Sequence, residues 1–168
     1  ARRWRRGGAG RGSGNDGSML ISGARSAMFN GVLAQRIDAG DWAQPRPGDL
    51  LVLDGRGSRF AAEAAETAFN RRRAAGLRIH PTGPLPGAAN RRQPQTAALI
   101  ERESAVLQDW AAVIQALAYQ RVTADRRALR LSVGALAGWR MAPGIWRLRF
   151  ELTRGAYATI GIRQPVVP

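Results

Sequence analysis

The stretch LRIHPTGPLPGAANRRQPQ, Leu77–Gln95, divides the chain in two and decides how the rest is read. Three prolines and two glycines fall within the seven residues Pro81–Gly87. Proline removes a backbone donor and glycine forfeits backbone entropy, so the stretch reads as a rigid, irregular loop that caps a core or shapes a site. Upstream, SMLISGARSAMFNGVLAQRIDAG (Ser18–Gly40) reads as a helix. Ser22 is its N-cap, Ala24, Ala27, Met28, Leu33, Ala34 and Ile37 recur at helical spacing, and Gly40 stops it. Arg25 and Asn30 then lie off the core face. PGDLLVLDGRGSRFAA (Pro47–Ala62) reads as two short strands, Leu50–Leu53 and Arg59–Ala62, about an Asp54–Gly55 turn. Glu63 opens a further helix that Gly76 closes, with Arg71, Arg72 and Arg73 in its last turns, where cations suit the helix dipole.

Downstream, Pro94–Ala118 reads as the longest helix, with Leu99, Val106, Trp110, Val113, Ile114 and Leu117 on its apolar side. ALRLSV (Ala128–Val133) and GIWRLRFEL (Gly144–Leu152) read as strands. In the second, Trp146, Leu148 and Phe150 point one way, and Arg147 and Arg149 point the other. The fold class is therefore α+β. Residues 1–17, with five arginines around Trp4 among glycines and serine, read as a flexible arm or linker.

Composition narrows the partners. The 168 residues, 45% of them hydrophobic, suffice for one core, and the charge is +14, from 26 basic against 12 acidic residues. Every basic side chain except the single histidine is arginine, which binds phosphate bidentately and stacks on bases, so a nucleic acid is the expected partner. Without cysteine there is no disulfide framework and no thiolate metal site, which fits a reducing, cytoplasmic setting. No run approaches the ~20 apolar residues of a membrane span, and no secretory h-region is present. The chain does not begin with Met, as expected of a segment from inside a longer protein.

No catalytic constellation is visible. His80 has no acidic neighbour in sequence and reads as a loop histidine bonded to backbone rather than as part of a Ser-His-Asp triad. One histidine and no cysteine leave only carboxylates for a metal. DGRGS (Asp54–Ser58) lacks the lysine and following helix of a phosphate loop. Glu101 and Glu103, two apart on a helix, face different ways.

Several stretches taken in order resemble the tRNA pseudouridine synthase D (TruD) family: LISGARSAMFNGVLAQRI (Leu20–Ile37), GDLLVLDGRGSRF (Gly48–Phe60), IHPTGPLPG (Ile79–Gly87), DRRALRL (Asp125–Leu131), Trp139 and FELTRGAYAT (Phe150–Thr159) followed by Arg163. The resemblance spans about Ser18–Arg163. It implies an isomerase that converts uridine to pseudouridine in tRNA, at position thirteen in the bacterial enzymes, with no cofactor or metal, monomeric at full length. It also implies that 18–131 is the family's insertion domain and that 132–168 returns to a catalytic sheet. Tyr157 matches the aromatic of the uracil pocket. Arg163 is assigned to a phosphate or to the nucleophilic aspartate; Arg126, Arg127, Arg25 and Asn30 are further candidates for RNA contact or active-site support. The family's G-x-K-D and N-Y-F-G motifs are absent, so the nucleophile is expected upstream and the chain alone is expected to be inactive. Asp16 has no matching context, and Gln164 stands where relatives carry glutamate. A non-catalytic basic RNA-binding module and an unrelated DNA-associated protein remain the rival readings.

Overall fold

The computed structural model describes residues 14–90, 93 and 95–152. The prolines of the dividing stretch do not break it. Ile79–Leu85 is a strand, β3, buried along nearly its whole length and at the centre of the sheet. With β1 (Leu50–Leu53), β2 (Arg59–Ala61) and β4 (Asp125–Ala128), it forms an antiparallel sheet in the order β2-β1-β3-β4. The register explains how a central strand tolerates proline. β1 pairs with residues 79–81, and β4 with residues 82–85, so each half of β3 has a ladder on one side only. Pro81 and Pro84 are three apart and so withhold donors on opposite edges. The Pro81 carbonyl still accepts from the Leu129 N–H at 2.9 Å.

The hairpin of β1 and β2 turns through Gly55 at φ +65°, as its Asp-Gly signature requires. A 3-10 turn, Ala64–Glu66, leads into α2, Thr67–Ala75. The left-handed residue that ends α2 is Leu77 (φ 56°), not Gly76, whose φ is −80°. The Arg78 N–H bonds back to the Arg73 carbonyl, a Schellman-type closure that Gly76 precedes rather than occupies.

The first helix, α1, runs Gly14–Asp38, with Asp16 in its first turn where an acid favours the dipole. It thus begins inside the stretch read as an arm, and Ser22 sits within it rather than capping it. Its buried residues are Met28, Phe29, Val32 and Arg36, whereas Ile37 is 52% exposed. Arg36 displaces Ile37 from the core because its guanidinium is satisfied there, bonding Asp41, Asp49 and the carbonyls of Asp41 and Gln44. Gly83 lets α1 lie close on β3. A Cβ there would stand 2.9 Å from carbons of both Phe29 and Leu129.

The helix expected over Pro94–Ala118 is two helices, α3 (Ala97–Leu107) and α4 (Ala111–Tyr119), with a 3-10 turn, Gln108–Trp110, between them. Thr96 caps α3 by accepting the Leu99 N–H. Leu107 and Leu117 join Met28 and Val32 in one core cluster, against which Val106, Trp110, Val113 and Ile114 pack. A second cluster, Leu51, Ala62, Ala74 and Ile79, lies between the sheet and α2.

After β4 the chain is irregular through Ser132, so the strand expected at Ala128–Val133 does not form. Leu129 and Arg130 turn inward instead, Leu129 being 5% exposed. Two long strands, β5 (Val133–Ala142) and β6 (Ile145–Leu152), then make a separate hairpin about Gly144. The expected strand Gly144–Leu152 is present as β6. Its partner β5 carries no clean alternation and was not foreseen. Leu136, Met141, Ile145 and Trp146 on this hairpin are all more than half exposed.

Candidate nucleic-acid interface

Arg126, Arg127 and Arg25 come together where α1 crosses the seam of β3 and β4; Asn30 lies further along α1, exposed. They do different things. Arg126 faces inward with a side chain 0% exposed. Its guanidinium grips both carboxylate oxygens of Glu103 and both oxygens of Thr82. A guanidinium so buried and held by four bonds does not reach an RNA phosphate, so Arg126 holds α3 to β3. Glu103, two residues from Glu101 and given no role by its helical position, is buried to 8% as its counter-ion.

Arg127 points the other way and lies over the Phe29 ring at 5.3 Å. Arg25, expected off the core face, is half-buried and donates to the carbonyls of Leu85 and Thr123, both at 3.0 Å. It clasps the end of β3 to the entry of β4. Burial pulls the Arg25 guanidinium below its ordinary range; Asp125 offsets part of this and Arg127 adds to it.

Asp125 sits among these cations. It pairs with Arg59 at 2.9 Å and accepts from Gln93 at 2.7 Å. Burial pushes its carboxyl up, but the bonds from Gln93 and the Arg126 backbone, together with the charges of Arg59 and Arg25, outweigh burial and hold it below the usual carboxylate range. A depressed folded-state value contributes stability above the ordinary aspartate range and loses it as acid takes the pH down through the folded value. An NMR titration should therefore place the Asp125 midpoint below about 3.9, and Arg59→Gln should move it upward. A midpoint at or above that ordinary value would contradict the arrangement.

A second constellation had no signal in the sequence. His80 is not a loop histidine bonded to backbone but a buried β3 residue whose Nε2 lies 2.8 Å from Asp54 Oδ1. Arg130 Nε donates to its Nδ1 at 2.8 Å. Arginine has no lone pair to offer, so Nδ1 is the acceptor, and Nε2–H donates to Asp54. Ser132 also donates to Asp54, at 3.1 Å. The serine thus bonds the carboxylate rather than the imidazole, and both ring nitrogens are engaged, which leaves no base to activate a nucleophile. The cluster instead ties the β1 turn, β3 and the root of the β5–β6 hairpin together. Register could have suggested it only once β3 was known, since His80 pairs with Val52, two residues before Asp54.

Asp41, Asp49, Asp54 and Asp125 are each held by arginine or histidine. Among the described residues, no three His, Asp or Glu side chains gather where they could hold a metal ion, and no helix is long and apolar enough to cross a membrane. Tyr157 and Arg163 lie outside the described residues.

The family model of tRNA pseudouridine synthase D (TruD) matches residues 15–164. The tRNA pseudouridine synthase D of Nitrosococcus oceani is 38% identical over 150 residues, covering 88% of this chain and 41% of that protein. The Azotobacter vinelandii protein of the same name is 41% identical over 155 residues, covering 89% and 41%. A crystal structure of the Methanosarcina mazei protein assigned to tRNA pseudouridine synthase D superposes with a TM-score of 0.59 at 23% identity, over 80% of this chain and 34% of that one. The chain thus spans about two fifths of the length of the curated relatives it matches.

Proposed function

The chain belongs to the tRNA pseudouridine synthase D family, and from that premise we propose that it is the C-terminal portion of an enzyme that isomerises uridine to pseudouridine in tRNA, at position thirteen. The observation that carries this is the family match over 150 residues beside a β5–β6 hairpin that leaves Trp146, Ile145 and Leu136 in water. A two-stranded hairpin is marginal on its own and needs a further strand or layer against it. In this reading, 18–131 is the insertion domain, and the hairpin with the residues after it joins a catalytic sheet supplied by the portion that precedes it in the relatives.

The reaction breaks the glycosidic bond, turns the base and rejoins it through carbon, so the uridine must leave its stack and be held while detached. Flipping costs a few kcal/mol, and an aromatic platform returns ~1–3 kcal/mol per stacked base. Tyr157 is assigned that platform, and Arg163 a phosphate or the upstream nucleophilic aspartate. Arg127 and Asn30 are assigned to RNA contact, whereas Arg126 and Arg25 support the seam beneath them. No cofactor or metal is required. The setting is the cytoplasm, and the full-length enzyme acts as a monomer.

Two reactions test this. Incubated with a tRNA transcript, the 168-residue chain alone should form no pseudouridine detectable by mass spectrometry; turnover would mean that one of its own aspartates serves as nucleophile. Supplemented with the complementary N-terminal portion of the Nitrosococcus oceani relative, it should modify position thirteen. tRNA binding without restored turnover would favour the non-catalytic RNA-binding module instead.

A further inference from the structure

The turn after β1, the end of α2 and the start of β5 enclose an open cleft of about 540 Å³, lined by Asp54, Arg56, Arg73, Leu77, Arg78 and Ser132 among others. Its charges are not balanced. Asp54 is already committed to His80 and Ser132, and Arg73 lies over the rings of Phe60 and Phe69 at 5.4 Å from each. Arg56 and Arg78 are exposed and, among the described residues, form no ion pair or side-chain hydrogen bond. Arg36, Arg46, Arg59, Arg102 and Arg126, by contrast, each hold a carboxylate.

The stem of Arg78 is nonetheless fixed. Its N–H bonds the Arg73 carbonyl and its carbonyl accepts from Asp54 N–H, both at 3.0 Å, while Leu77 takes the left-handed turn that swings it off α2 into the cleft. The same closure covers the end of α2. The carbonyls of Arg72, Arg73 and Ala74 accept from Gly76, Arg78 and Leu77, and Ala74 also from Arg130, so these carbonyls are not bare toward an incoming anion. Among the described residues, no aromatic side chain lines the cleft to stack a base.

We propose that this cleft holds a backbone phosphate of the RNA substrate, gripped by Arg56 and Arg78 on a site whose backbone is already set. The proposal rests on the tRNA reading above and adds the place where the polyanion is held. Two free guanidiniums with no base platform suit positioning without sequence readout. The exposed Arg71 and Arg72 on α2 continue the positive surface beyond it, which favours a polymer with a charge at every step over a small anion.

The test is tRNA affinity of the whole 168-residue chain between 50 and 200 mM salt, an interval of about fourfold over which phosphate contacts show as a slope. The double variant Arg56→Gln/Arg78→Gln should flatten the slope of log affinity against log salt by about 1.8, near 0.9 for each phosphate charge neutralised. A control with equal charge loss elsewhere on the surface, Arg121→Gln/Arg140→Gln, should change it by less than half as much. Neither side chain of the cleft pair holds another residue, so the double variant should keep the parent's circular dichroism and melting temperature. Equal slopes for parent and cleft variant would overturn the cleft while leaving the tRNA reading standing, as would equal losses in the cleft and control variants. Absence of tRNA binding by the parent would sink the tRNA reading itself. Displacement of tRNA by polyglutamate at matched charge would overturn the choice of RNA over an acidic protein.

Discussion

Glu103→Ala should lower the free energy of unfolding by about 3–5 kcal/mol, because it strands the Arg126 guanidinium in the core without its counter-ion. The side chain of Arg126 is 0% exposed and that of Glu103 10%, and the pair is held in a fork of charge-assisted bonds. Thr82 satisfies two further donors of Arg126 but supplies no charge. The cost of the single variant is that of an uncompensated buried cation, not the net worth of the pair. Glu103→Leu/Arg126→Met, which removes both charges and fills similar volume, should therefore be milder than Glu103→Ala. Urea denaturation of the three proteins measures it. A single-variant loss within about 1 kcal/mol, the size of an exposed pair, would mean that water reaches the site.

The parts legible in the sequence are those set by local chemistry. Leu50–Leu53 and Arg59–Ala61 follow from an apolar run, an Asp-Gly turn and a polar edge, and all three lie within a dozen residues. The α+β class, the helical character of Ser22–Asp38 and the apolar side of Leu99, Val106 and Leu117 follow from periodicity in the same way. What was not legible depends on partners far along the chain. β3 carries three prolines and two glycines at or beside it and is a strand because β1 claims one half and β4 the other. Single-stretch propensity cannot see that division. The buried face of α1 holds Arg36 in place of Ile37, since Asp41 and Asp49 arrive from the loop to meet it. β5 shows no alternation because both faces of its hairpin are open among the described residues, so burial does not impose one.

The candidate site divides the same way. Net charge indicates that arginine is in excess, but not which arginines are spent. Arg126 and Arg127 are neighbours in sequence, yet strand geometry sends one to Glu103 and the other over Phe29. Arg56 and Arg78 drew no attention as residues, and matter because the carboxylates near them are engaged elsewhere. A ledger of charges becomes a map of free cations only after folding has shown which of them are engaged.

Gly87→Ala should be the most damaging single methyl added at any glycine among the described residues. The new Cβ would collide with the Val122 carbonyl oxygen and come within 3.0 Å of the Ala124 nitrogen, both backbone atoms with no rotamer to yield. Those atoms belong to a close crossing of two segments: Ala88 N–H donates to Val122 O at 2.6 Å, and Ala124 N–H to Ala88 O at 2.8 Å. Relief of the clash requires the segments to part, which breaks both bonds at once. Arg25, which bonds Leu85 O and Thr123 O on either side of the crossing, would lose its clasp with them, as would Asn90 its bond to Ala124 O. A loss above about 3 kcal/mol is expected, in the range reserved for broken backbone networks. Gly57→Ala, where a Cβ meets nothing within 4 Å, should by contrast be close to neutral. Thermal unfolding compares the two. If Gly87→Ala yields too little folded protein, hydrogen exchange on the milder Arg25→Gln variant gives the second readout, with faster exchange expected at the amides of Ala88 and Ala124. Equal stability of the two glycine variants would show that the crossing can open at little cost, and that the end of β3 is not fixed to the entry of β4 as the hydrogen bonds indicate.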